Sequence, residues 1–188
     1  IFTSIFGGVN TLWDRRYGFM NKALTSPISR SSIALGKMSA ISLISALQAS
    51  LIVGIALAIG VTFPNPFMIA PIMAIVILFS LGFSGISVIV AATAKSQETF
   101  WGVINFLGMP LFMLSPALFP LELLPDWLAT IAKLNPVTYT VLLVREMMTG
   151  VSEGGISALL SIGVIAVFVL VMVGLASYVF TREVNKPF

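Results

Sequence analysis

The stretch 38–94, MSAISLISALQASLIVGIALAIGVTFPNPFMIAPIMAIVILFSLGFSGISVIVAATA, contains no charged residue between Lys37 and Lys95. A helix needs about 20 apolar residues to cross a hydrocarbon core about 30 Å thick, so this run holds two crossings. Phe63-Pro64-Asn65-Pro66 divides them, because two prolines end one helix and permit a tight turn before the next. Two further charge-free runs, between Glu98 and Glu122 and between Glu153 and Arg182, hold one crossing each. The chain is 58% hydrophobic and 9% charged, against roughly a quarter charged in an ordinary soluble domain. A water-soluble core of this size could not bury that much apolar surface. The expected fold is all-α: a polytopic membrane helix bundle forming one domain over 1–188, with full spans at 33–62, 67–94, 99–119 and 156–181.

Outward from these spans, the apolar run 1–9 is too short to cross and reads as the end of a truncated span. Placing 11–30 on the cytoplasmic side puts Arg15, Arg16, Lys22, Arg30, Lys37, Lys95, Arg182 and Lys186 inside, leaving Lys133 and Arg145 outside. That satisfies the positive-inside rule and makes the C-terminus cytoplasmic, in a multi-pass protein of the cell membrane. The stretch 120–150 carries Glu122, Asp126, Lys133, Arg145 and Glu146 together with Pro125 and Pro136. A charge at mid-bilayer costs at least ~2.5 kcal/mol, so this stretch is expected as an external hairpin of short helices that dips into the outer leaflet. Reading it as a fifth crossing would reverse the last span and expel Arg182 and Lys186.

Several chemistries drop out. Without cysteine or histidine the chain offers no disulfide, thiolate, Zn–Cys site or imidazole acid–base group, and no metal site is expected. No ionisable residue lies deep in a span, which argues against ion-coupled transport. No carboxylate pair or assisted nucleophile suggests a hydrolase. The net charge of +3 sits at span ends, so it is no nucleic-acid signature. No phosphate-binding loop occurs; if transport is ATP-driven, the ATPase is elsewhere.

In 11–30, Thr11 with Asp14 three residues on fits a helix start. Trp13, Tyr17, Met20 and Leu24 then share one face, and Ser26-Pro27 closes the element. Two readings stand: an interfacial helix anchored in membrane lipids, or a docking element presenting Arg15, Arg16 and Lys22 to a cytoplasmic partner. In the first span Ser42, Ala46, Ser50, Gly54 and Ala58 form a small-residue ridge, the means of close helix packing in lipid. Gln48 serves either an interhelical hydrogen bond or a substrate. Gly82, Ser84, Gly85 and Ser87 give the second span similar packing. The third contains Asn105, Gly108 and Pro110, with a kink expected near Phe106, and its aromatics, Phe112 among them, suit packing, lipid or a greasy pathway. Gln48, Asn105 and Phe112 are the candidate pathway residues. Glu122 stands where the third span ends and is a candidate gate.

Two stretches carry a family resemblance. Asp14-Arg15-Arg16-Tyr17-Gly18-Phe19, then Lys22-Ala23-Leu24-Thr25-Ser26-Pro27 and Leu35-Gly36-Lys37, form one. Phe119-Pro120, Leu124-Pro125-Asp126-Trp127-Leu128 and Asn135-Pro136-Val137-Thr138-Tyr139 form the other. Together they resemble the permease half of ABC-2 type ABC exporters, without that family's first span. The resemblance implies a coupling helix seated in a groove of an ABC ATP-binding subunit, with Arg15, Arg16, Phe19, Lys22 and Leu24 as contact residues. It implies an external helical hairpin in which Asn135 and Tyr139 stand with Glu122. It also implies a second permease copy or a homologous permease, and ATP and Mg bound by the partner rather than by this chain. The expected function is export of an amphipathic or hydrophobic, drug-like compound. Lipid or polysaccharide export within the family, or a membrane assembly protein outside it, are the alternatives.

Overall fold

The computed structural model describes residues 1–25, 27–61, 65–151 and 154–183, with the backbone alone for Asn21, Ala23, Leu24 and Glu122. The Ser26, Phe63-Pro64, Glu153 and Lys186 positions used above therefore lie outside the described residues. Nine α-helices are described: α1 (Phe2–Phe6), α2 (Val9–Arg16), α3 (Phe19–Leu24), α4 (Arg30–Ala58), α5 (Ile69–Thr93), α6 (Gln97–Met113), α7 (Asp126–Lys133), α8 (Pro136–Thr149) and α9 (Ala158–Glu183). Short 3₁₀ turns at Pro66–Met68 and Leu121–Leu123 complete them, and no strand occurs among the described residues. The all-α, polytopic class is thus the observed one. Three helices are long and apolar enough to cross a membrane: α4, Pro66–Thr93 and α9. Counting the bent pair α7–α8 as one crossing makes up to four.

The helix boundaries have local causes. Ser29 starts α4 by accepting from the Ser32 amide at 3.2 Å, and Ser96 starts α6 by accepting from Thr99 at 3.1 Å, each satisfying a donor that the first turn leaves open. Asn65 and Asn135 do the same ahead of prolines, which suit a first helical position because their missing N–H would have no partner there. The third expected span differs from its reading. α6 stops at Met113, six residues before 119, and its 17 residues reach about 25 Å. Pro110 falls in the last turn, and the helix is continuous through Phe106.

The core is organised around α5. Its Phe79, Phe83, Val90 and Ala91 bury against Ile5, Leu12, Phe100, Ile104 and Val137. On other faces Val88 and Ala92 meet Met38, Ala176 and Phe180, and Ile75 meets Leu143, Ile165 and Val169. Small residues allow this. A Cβ on Gly82 would lie 2.6 Å from Phe168, and one on Gly85 3.0 Å from the Met172 carbonyl oxygen, so the α5 backbone meets an α9 side chain at Gly82 and the α9 backbone at Gly85. The ridge on α4 divides: Ser42 and Ala46 are buried, whereas Ser50, Gly54 and Ala58 are exposed. From Leu47 outward α4 turns its apolar side chains away from the rest of the chain.

Residues 1–9 hold α1 and the first residue of α2, joined at Gly7-Gly8. The break is stitched by α5. Ser87 Oγ accepts from the Gly8 amide at 2.8 Å and donates to the Ile5 carbonyl, replacing bonds that an unbroken helix would make within itself. Ser4 hydrogen-bonds Ser80 at 2.8 Å and Ser45 at 3.1 Å, and the Thr3 hydroxyl donates to Gln48. Interhelical bonds of this kind contribute about 0.6 kcal/mol each in lipid, so the seam directs α1 more than it stabilises it.

Candidate functional site

Five helix ends meet at one end of the bundle: α2, the start of α4, the end of α5, the start of α6 and the end of α9. Here 11–30 departs from the single amphipathic helix expected. It is two helices, broken at Tyr17-Gly18, where Gly18 has φ +76°, a left-handed value that glycine takes without strain. Thr11 is not a cap. α2 begins at Val9 behind Gly8, and Thr11 is buried inside it. The expected common face splits as well: Met20 is buried among Ala34, Met38 and Phe180, while Trp13 and Tyr17 are exposed. The turn at Gly18 rotates α3 relative to α2, which a constant helical period cannot anticipate.

The charged residues of α2 have different fates. Asp14 forms an ion pair with Lys37 of α4. Arg15 does not face outward. Its Nη1 donates to the Ala91 carbonyl at 3.2 Å and to that of Ala92, closing acceptors that the last turn of α5 leaves open. Partial burial holds the guanidinium pKa below its ordinary value, with Glu183 of α9 acting in the opposite sense. Arg16 is exposed. It is the least of the influences that lower the Glu98 pKa, after that residue's own backbone amide and the Ser96 hydroxyl. Beyond the Gly18 turn, Phe19 and Lys22 are exposed, with the Lys22 ammonium 5.8 Å from the Phe19 ring centre. Leu24 ends α3, and its side chain lies outside the described residues. Of the five residues expected to contact a partner, Arg16, Phe19 and Lys22 thus form an exposed basic and aromatic tip with Tyr17, and Arg15 is engaged within the bundle.

At the opposite end α7 and α8 meet at 89° across Leu134-Asn135. Asn135 is 5% exposed. Its Nδ2 donates to the Leu111 carbonyl at 2.6 Å, and its Oδ1 accepts from Val137 at 3.0 Å. Leu111 offers an acceptor there because α6 ends two residues later. Thr138 donates to the Ala132 carbonyl at 2.6 Å and Tyr139 to that of Lys133 at 2.7 Å, so the Asn-Pro-x-Thr-Tyr motif closes the end of α7 and starts α8. Arg145 donates to the Pro116 carbonyl at 3.0 Å. Glu122 lies in the Leu121–Leu123 turn, its side chain outside the described residues. Replacing Asn135 with Ala strands the Leu111 acceptor and the Val137 donor in buried surroundings. The expected cost is about 2 kcal/mol, read as a lower thermal midpoint in detergent and faster proteolysis between α6 and α7.

The three candidate pathway residues separate. Asn105 and Phe106 of α6, with Met109, Met113, Phe119, Leu124 and Leu128, line an open groove of about 810 Å³ between α6 and the hairpin. Among the described residues Asn105 is its one polar side chain, and its Nδ2 is already bonded to the Trp101 carbonyl at 2.8 Å. Phe112 packs edge-on against Phe2 of α1, ring centres 5.2 Å apart, outside that groove. Gln48 is engaged by Thr3. The grip of Arg15 on α5, the Asp14–Lys37 pair and the Ser87 stitch are features that sequence reasoning missed. An arginine, Arg15, three residues before Gly18 was the available hint.

Comparison with known proteins gives a consistent picture. The model of a family described as ABC-2 type transporter matches residues 1–149. The transport permease ycf38 of Cyanophora paradoxa is 34% identical over 148 residues, covering 75% of this chain and 50% of its own length. Its counterpart in Pyropia yezoensis is 31% identical over 157 residues, covering 81% of this chain and 54% of its own. The multidrug ABC transporter permease YbhR of Escherichia coli K12 is 27% identical over 130 residues, covering 67% and 34%. The chain therefore spans about half the length of the ycf38 relatives and about a third of YbhR. No solved structure matches it.

Proposed function

The chain belongs to the ABC-2 type transporter family, and from that premise we propose that it is the permease part of an ATP-driven exporter. It moves an amphipathic or hydrophobic compound outward across the cytoplasmic membrane, its C-terminus on the cytoplasmic side. ATP and Mg are bound by a separate ABC ATP-binding subunit, and a second permease copy completes the assembly. The observation that carries this reading is the tip Arg16, Tyr17, Phe19 and Lys22, exposed on a segment that is otherwise seated in the bundle. A membrane anchor would lay its aromatics and its buried apolar residues along one face. Here the apolar residues Leu12 and Met20 are spent inside the protein, leaving cations and rings for a partner. The groove beside Asn105, lined almost wholly by apolar side chains, supports a hydrophobic cargo over a polysaccharide, since sugars need many polar contacts.

The test is retention of an ATP-binding subunit through purification. Reversing both exposed cations, Arg16→Glu with Lys22→Glu, is expected to weaken that association about tenfold or more, without loss of the folded bundle. Unchanged binding and unchanged transport in the double variant would reject the docking assignment. Transport that follows an ion gradient without ATP would reject the whole reading.

A further inference from the structure

Asp14 and Arg15 are neighbours on α2, and successive residues on a helix point about 100° apart. Each holds a different part of the bundle. Asp14 pairs with Lys37, two turns into α4. Arg15 holds the last turn of α5 through the Ala91 and Ala92 carbonyls. α5 in turn is locked to α9 where Gly82 meets Phe168 and Gly85 meets Met172. Neither side chain is needed merely to seat the segment, because Leu12 and Met20 are buried on their own account and a partly exposed ion pair adds little to stability. What the two contacts supply is direction: one grips α4, the other the α5–α9 pair.

We propose that Asp14 and Arg15 are positioning residues that convert displacement of the Arg16–Lys22 tip into movement of α4 against the α5–α9 pair. The proposal rests on reading that tip as the docking site of an ATP-binding subunit. It separates two tasks within one short segment. Arg16, Phe19 and Lys22 meet the partner, while Asp14 and Arg15 face inward and transmit. Variants of the inward pair therefore keep the partner and lose the motion.

The experiment uses the full natural permease with its ATP-binding subunit, reconstituted in lipid nanodiscs. Spin labels go on Ser39→Cys of α4 and Thr93→Cys of α5, both exposed sites in a segment without cysteine. The inter-label distance is compared between ADP and a non-hydrolysable ATP analogue. The unaltered pair is expected to show a nucleotide-dependent shift. Asp14→Asn and Arg15→Gln are each expected to lose that shift while the ATP-binding subunit stays bound, and the exchange Asp14→Lys with Lys37→Asp to restore it. A shift that persists in both single variants overturns the proposal, as does an exchange variant that assembles without a shift. If the unaltered chain binds the subunit but shows no shift, transmission fails and docking stands. If it binds no such subunit, the functional reading itself fails and the transmission proposal falls with it.

Discussion

Gly8→Ala is expected to unseat the junction of α1 and α2, at a cost of about 3 kcal/mol, the upper end of the usual overpacking range. The new Cβ would stand 2.5 Å from the Ser87 carbonyl oxygen and 2.7 Å from its carbon. These are backbone atoms within α5, so no side chain can swing aside. Moving the junction away would also break the bonds from Ser87 to the Gly8 amide and the Ile5 carbonyl. Gly8 itself has φ −65°, which any residue adopts, so the requirement is for space and not for conformation. Gly36→Ala is the matched control. It lies inside α4 with nothing within 4 Å, and alanine there is expected to add about 0.5–1 kcal/mol through helix propensity. Thermal midpoints of the two variants in the same detergent should move in opposite directions. A Gly8→Ala protein as stable as its parent would refute the stitched junction.

The second large effect is expected at Phe83. Its ring is fully buried, 4.5 Å from Phe79 and 5.4 Å from Phe168 between ring centres. It lies on α5 among Ile5, Leu12, Phe100 and Val137. Phe→Ala leaves a cavity that the five helices packed on α5 here must collapse to fill. The expected loss is about 3 kcal/mol, at the low end for such truncations because lipid is nearly as apolar as the core, so packing rather than transfer from water is lost. For a chain of this size that corresponds to a fall of about 6–12 °C in thermal midpoint. Phe106→Ala removes the same ring from an outward face that is 78% exposed and should leave stability nearly unchanged. A Phe83→Ala midpoint equal to that of Phe106→Ala would show that α5 is not the centre of packing.

Much of the fold is legible because lipid makes strict demands. A span must be long and uncharged, and its backbone must satisfy itself, so charge gaps and prolines locate α4, α5 and α9 to within a few residues. The same cues misjudge α6. A charge-free run to 121 predicts a helix to 119, but apolar loop residues such as Leu118 and Phe119 sit comfortably at that depth and do not register as an ending. At the basic end, the sequence does not assign the separate contacts of Asp14, Arg15 and Arg16. Only the fold reveals that one pairs with α4, one closes α5 and one remains outside. Asn135 and Tyr139 stood out as family positions, while their bonds to the carbonyls of Leu111 and Lys133 depend on where α6 and α7 stop, which sequence locates poorly.

The placement of charge on the long helices has an electrical consequence. Among the described residues, α4 carries its only charges at Arg30 and Lys37, α5 carries none, and α9 carries Arg182 and Glu183 in its last turn. Moving one elementary charge through the membrane field is worth about 2.3 kcal/mol per 100 mV. Sliding or tilting these three helices transfers almost none, because their central portions are neutral and their charged ends stay at the interface. Within the proposed export cycle, rearrangement of these three helices is therefore expected to respond little to membrane potential.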